Sequence, residues 1–192
     1  MMKPFLVCAL VLFPWLASAS LEPLFNGRDL EGWRVAGAPC WSVVDGVLTG
    51  RSDAAKRNSI LWTAKSYADF RVELEFRFSG DIDSGIFLRR ENEQIQIGTS
   101  RSLGRDMSGS PYIASRGAYP VEAAGVSELL KRGEWNRMRI EARGQNYAVW
   151  LNGKRVVEYR SETAIESGPV GLQVHPGVEM KVEFRGLGIE AL

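Results

Sequence analysis

The chain has 192 residues, with 24 Lys and Arg against 23 Asp and Glu, a formal charge of +1. Signs are interspersed, so nothing offers the electrostatic footing that nucleic acid or an anionic membrane requires. With one histidine and two cysteines in the whole chain, a zinc site built from His and Cys has too few ligands.

The N-terminus reads as a secretory leader. Met1-Met2-Lys3 is a positive start, Phe5 to Leu16 is apolar, and Ala17-Ser18-Ala19 is a small-residue cleavage site. The apolar run is short for a bilayer span, and no small-residue lipobox precedes Cys8. The expectation is a signal peptide over residues 1–19, cut after Ala19, and an exported protein, periplasmic or secreted, with no membrane anchor once the leader is gone. About 170 residues then remain, enough for one domain over residues 20–192 with a sizeable core. Loss of Lys3 brings the formal charge to zero, and Cys40 is left alone beside Trp41, where a buried structural thiol is expected.

The body is a string of short strands. Trp41 to Val44, the turn Asp45-Gly46 and Val47 to Gly50 predict a hairpin, because Asp-Gly supplies the positive φ of a tight turn. Ser59 to Thr63 is an apolar run. Arg71 to Phe78 alternates, with Val72, Leu74, Phe76 and Phe78 inward. Gly80 to Gly85 reads as a turn leading into Ile86 to Arg89, and Arg90 to Glu93 turns into Gln94 to Ile97. Arg137 to Arg143 alternates again. Tyr147 to Leu151 and Arg155 to Tyr159 flank Asn152-Gly153 as a second hairpin, then Val170 to Val174, Met180 to Phe184 and Gly188 to Leu192 follow. One helical turn is expected over Ser127 to Lys131, capped by Ser127. Many short alternating strands with Gly and Asn turns predict an all-β antiparallel sandwich or jelly roll.

Three strands carry an unusual polar side. Arg89 falls opposite Ile86 and Leu88, Gln94 and Gln96 opposite Ile95 and Ile97, and Gln173 and His175 opposite Leu172 and Val174. Elsewhere the polar side is a charge ladder, such as Arg71, Glu73, Glu75 and Arg77. Amides donate and accept together, as hydroxyls do, so the glutamines, Arg89 and His175 suit a sugar-binding floor. Between Gly98 and Gly125 the strand rhythm stops. This long segment holds Arg101, Arg105, Asp106, Tyr112, Arg116, Tyr119 and Glu122, and reads as a binding loop overhanging the floor.

The ordered motifs resemble one family. Leu24-Phe25-Asn26-Gly27-Arg28-Asp29-Leu30-Glu31-Gly32-Trp33 is similar to its opening signature, and Trp41-x-Val43-x-Asp45-Gly46-Val47-Leu48 to its first hairpin. Ser84-Gly85-Ile86-Phe87-Leu88-Arg89 resembles its central block, with Gly133-Glu134-Trp135-Asn136, Trp150-Leu151-Asn152-Gly153 and Gly168-Pro169-Val170-Gly171-Leu172-Gln173 following. The set resembles the 3-keto-disaccharide hydrolase family over essentially Leu21 to Leu192. That resemblance implies a concanavalin-like sandwich with a sugar-facing sheet and cleavage of 3-keto-glycosides by hydrolysis or elimination; carbohydrate is the expected partner, and no cofactor is expected. The chain departs at Gln94-Ile95-Gln96-Ile97-Gly98-Thr99, where the two acidic residues common in the family are missing.

An ordinary glycosidase needs two carboxyl groups flanking the bond, and the floor as read holds none. A 3-keto sugar asks for less: a base for the acidified C2 hydrogen, a donor for the enolate oxygen, and an acid for the leaving group. The expected roles are His175 as base, Arg89 at the enolate oxygen, and Asp106 or Tyr112 at the leaving group. Gln94, Gln96, Gln173, Arg105 and Tyr112 would bind substrate. Asp81-x-Asp83-Ser84-Gly85 reads as a turn with Asx hydrogen bonds and not as a metal loop. A non-catalytic sugar-binding module and a plain interaction domain stand as alternatives.

Overall fold

The computed structural model describes residues 21–192; the expected leader lies outside them. Fifteen strands make up almost all of the regular structure. In chain order these are β1 (Glu22–Pro23), β2 (Trp33–Gly37), β3 (Trp41–Val44), β4 (Val47–Arg51) and β5 (Ser59–Thr63). The long strand β6 (Phe70–Phe78) is followed by β7 (Asp83–Leu88) and β8 (Arg90–Ser100). Short β9 (Arg105–Asp106) and β10 (Pro111–Ile113) come next, then β11 (Asn136–Arg143), β12 (Asn146–Leu151), β13 (Lys154–Arg160), β14 (Val170–Val174) and β15 (Lys181–Ala191).

Two antiparallel sheets stack face to face. One runs β13-β12-β11-β6-β15-β4-β3 with β1 added against β15; the other runs β10-β8-β7-β14-β5-β2 with β9 added against β8. The sandwich inferred from alternation is therefore observed. Alternation also fixes which residues meet between the layers. Phe70, Val72, Leu74, Phe76 and Phe78 of β6 face Ile86 and Leu88, Ile95 and Ile97, and Leu172 and Val174, all at most 3% exposed. Each large side chain of this kind contributes roughly 1.5–3 kcal/mol by leaving water. Cys40 lies in the same core as a free thiol.

Both Asx-Gly hairpins form as predicted, with Asp45 and Asn152 at φ of 50° and 49°. The expected helical turn is present as α1 (Val126–Leu129), but its N-cap is Gly125 in the left-handed region and Ser127 caps nothing. The two terminal strands expected over 180–192 are one strand, β15, bent by a bulge between Arg185 and Gly188. Strand β2 carries little alternation in its burial and is exposed over four of five residues, which is why its pattern is silent in the sequence.

The irregular segment after β8 is tied down. Gln96 N donates to Ser110 O at 2.9 Å, Gly109 N to Gln96 O at 2.8 Å, and Met107 N to Gly98 O at 3.0 Å. Gly98 N donates to Ser108 Oγ at 2.8 Å, and Ser110 Oγ accepts from Ala123 N at 2.9 Å. A segment with no period of its own thus takes its shape from backbone pairing along the edge of β8.

Candidate functional site

The outer face of the β10-β8-β7-β14-β5-β2 sheet holds a groove of about 450 Å³. Its floor is built in three rows across the strands. Antiparallel register sets Gly98 beside Asp83, Gln96 beside Gly85 and Gln94 beside Phe87, while Gly171 sits beside Phe87 and Trp62, and Gln173 beside Ile60. Continued along the strands, the same register places His175 beside Asp83. One row is thus acid–base (Asp83, His175), one is amide (Gln96, Gln173), and one is aromatic (Phe87, with Trp62 packed beside it outside the groove lining). The segment after β8 adds Ser100, Arg101, Ser102, Tyr112, Ala114 and Tyr119 as a wall.

Asp83 is the central carboxylate, with only 7% of its side chain exposed. Its Oδ1 accepts from Gln96 Nε2 at 2.8 Å, and its Oδ2 from the Arg101 backbone N at 3.3 Å. The Arg101 Nε and the His175 Nε2 each lie 3.9 Å from Asp83 Oδ2. His175 Nδ1 is 2.7 Å from the Pro176 carbonyl oxygen. That oxygen can only accept, so Nδ1 carries the proton and Nε2 presents its lone pair toward the groove.

The amide row depends on a glycine. Gln94 Nε2 donates to Gln173 Oε1 at 2.5 Å, from β8 across β7 to β14. The bridge passes over Gly85, where a Cβ would lie 2.5 Å from Gln94 Nε2. Tyr112 and Tyr119 pack together on the wall with ring centroids 5.0 Å apart. Burial pushes the Tyr119 phenol up to about 12, outweighing the hydrogen bond with Ser100 that lowers it, so it keeps its proton at neutral pH.

Gln94, Gln96, Gln173, His175 and Tyr112 therefore come together as expected in space, whereas three expected residues do not. Arg89 is off the floor. Its φ of 67° breaks the strand alternation, at a bulge between Phe87 and Leu88, and turns the side chain inward. There it is 1% exposed, donating to Ala68 O at 2.6 and 2.9 Å, Gly144 O at 2.6 Å and Ile165 O at 2.9 Å. Asp106 accepts from Ser108 N at 2.9 Å and Arg132 at 2.7 Å, outside the groove lining. Arg105 is engaged by Glu122, also outside it.

Asp83 was missed as a site residue because the run Asp81 to Gly85 reads as a turn. Its parity with Gly85 and Phe87 was the available signal. Arg101 and Tyr119 were visible as loop residues but had no assigned partner. Among the described residues no group of three or more His, Cys, Asp and Glu side chains converges to hold a metal ion.

A family model described as 3-keto-alpha-glucoside-1,2-lyase-like domain matches residues 20–190. Among solved structures, a candidate glycosyl hydrolase from Parabacteroides distasonis is 26% identical, with a TM-score of 0.71 over 91% of this chain and 100% of that one. The carbohydrate-binding module CBM66 from Bacillus subtilis is 16% identical, with a TM-score of 0.61 over 83% of this chain and 96% of the module. The exoplasmic/lumenal domain of VIP36, in a form bound to calcium and Man3GlcNAc, is 10% identical, with a TM-score of 0.62 over 90% and 87%. The latter two likenesses speak to the sandwich alone. No curated protein matches the chain.

Proposed function

This chain belongs to the 3-keto-alpha-glucoside-1,2-lyase-like family, and we propose from that premise that it is an exported protein whose groove binds 3-keto-glycosides and cleaves them through an enolate. The observation that carries this reading is the juxtaposition of a lone-pair-bearing His175 Nε2 with the buried Asp83 carboxylate at 3.9 Å, on a floor of amides. The groove lining holds two carboxylates, the buried Asp83 and the exposed Glu91, but Asp83 pairs with Gly98, seven residues along β8 from Glu91, a spacing of roughly 20 Å that is too wide for the facing pair of ordinary glycoside hydrolysis.

In the proposed reaction the glutamines hold the sugar hydroxyls. His175 Nε2 takes the C2 proton that the neighbouring ketone acidifies, and the electron pair moves onto the C3 oxygen as an enolate. Arg101, the cation of this groove, faces that developing charge in place of Arg89. Collapse of the enolate forms the C1–C2 double bond and breaks the bond from C1 to the leaving oxygen. Tyr119, protonated at neutral pH, donates to that oxygen as it departs. Water adding later to the unsaturated sugar would complete a net hydrolysis.

The test is incubation with 3-keto-glucosides and their unoxidised parents, read by mass spectrometry. Turnover of the keto forms alone, with a sugar product lighter by one water, is expected. His175→Ala and Asp83→Asn should each lower turnover by at least about a hundredfold; a loss under tenfold in His175→Ala would remove it as base. Saturable binding without turnover favours instead a sugar-binding module.

A further inference from the structure

The groove is graded from end to end. Asp83 and Phe87 stand four residues apart on β7, so its acid–base row and its aromatic row are separated by about 13 Å. That is room for a sugar ring over the first two rows and one further ring over the third. The third row differs in kind from the others. Trp62 lies across Gly171, where a Cβ would meet its ring at 2.6 Å, and reaches Phe87 with ring centroids 5.5 Å apart. Ile60, Trp62 and Phe87 form a small apolar cluster of their own on the outer face of the sheet, separate from the core between the layers. Ala114 and Tyr112, on and just after the edge strand β10, border this end of the groove.

Asn92 and the Gln94 donor at this end are already engaged, and the exposed Glu91 is the lining carboxylate here with no hydrogen bond or ion pair among the described residues. Asn92 Oδ1 accepts from Ser115 N at 2.7 Å, and its Nδ2 donates to Thr163 Oγ1 at 3.1 Å. Gln94 Nε2 is committed to Gln173. A second sugar here would bury hydroxyls with few partners, whereas an apolar or aromatic ring would not. Resting on the keto-glycoside reading above, we infer that the Phe87–Tyr112–Ala114 end is a leaving-group compartment selecting glycosides with a flat apolar aglycone, such as aryl glycosides, over disaccharides. The sugar then lies with C3 toward Arg101, C2 toward His175, and C1 toward the aromatic row.

The inference is tested by titrating phenyl 3-keto-glucoside, methyl 3-keto-glucoside and a 3-keto-disaccharide of glucose, in both anomeric forms, into the full chain carrying His175→Ala so that turnover consumes none of them. The phenyl glycoside should bind about tenfold tighter than the other two, the gain expected from burying one face of a ring. Adding Ala114→Asp or Ala114→Glu, at an exposed position where neither disturbs the core, should erase that advantage and leave methyl glycoside affinity within about twofold. Equal affinity for all three ligands, or variants that weaken all three alike, would overturn the compartment while leaving the sugar floor standing. Binding of none of them overturns the floor and the compartment together.

Discussion

Arg89 shows how a single backbone angle reassigns a side chain. A cation buried beneath the sheet is retained only because its donors are satisfied: the carbonyls of Ala68, Gly144 and Ile165 surround the guanidinium, with Asp69 Oδ1 at 3.4 Å. These partners come from three separate segments, so the planar fork fastens one end of the sandwich. Lysine has a single ammonium at the end of a flexible stem and cannot reach all of them. Arg89→Lys should therefore cost roughly 3 kcal/mol or more in urea unfolding, through uncompensated buried carbonyls and a strained charge. In contrast, had Arg89 lined the groove, the same change would alter ligand affinity and leave stability nearly untouched. Gly168 belongs to this fastening, since a Cβ there would fall 1.9 Å from Arg89 O.

At the scale of the strand, the central device is β7, which carries three kinds of residue on one face: Asp83, Gly85 and Phe87. The middle position must be empty for β8 and β14 to join through Gln94 and Gln173. Gly85→Ala is expected to keep the fold, because the group displaced is the flexible end of Gln94, and to weaken sugar binding by about tenfold by breaking the amide bridge. Titration alongside thermal melts checks both halves; unchanged affinity would show that the bridge does not hold the sugar. Strand parity made much of this face legible in advance. Gln94, Gln96, Gln173 and His175 point as alternation dictates, and the charge ladders of β6 and β11 pair across strands, as in Arg137 with Glu73 and Arg185 with Glu75. Alternation failed where the backbone leaves the pleat. At Arg89 a left-handed residue reverses the face, and at Asp83 the strand begins earlier than its turn-like residues suggest. Arg101 and Tyr119 belong to a segment whose position is set by pairing to β8, and no local period can report a long-range contact.

For the molecule as a whole, the outer face of the other sheet bears on stability in acid. Burial alone would raise the Glu183 carboxyl, but hydrogen bonds from Arg77 and Lys181 outweigh it and hold it below 4.5. Asp81 and Glu122 are lowered too, by hydrogen bonds with Thr99 and Arg105 respectively, each joined by Arg101 or Arg105 charge. A carboxyl depressed in the folded state binds fewer protons there than when unfolded. Its stabilisation is present above its ordinary value and is lost as pH falls through the folded one. Thermal melts should thus show Tm level near neutrality and falling below about pH 4.5, with a shallower fall in Glu183→Gln. An identical acid limb in the variant would exclude Glu183 from that loss.

The hydrogen-bonded hook that lays residues 98–110 along β8 has a thermodynamic consequence. A loop already anchored by its backbone has little conformational freedom left to lose when a ligand arrives. For the part of the wall that this hook carries, Ser100, Arg101 and Ser102, recognition is accordingly a matter of shape and polarity met on contact.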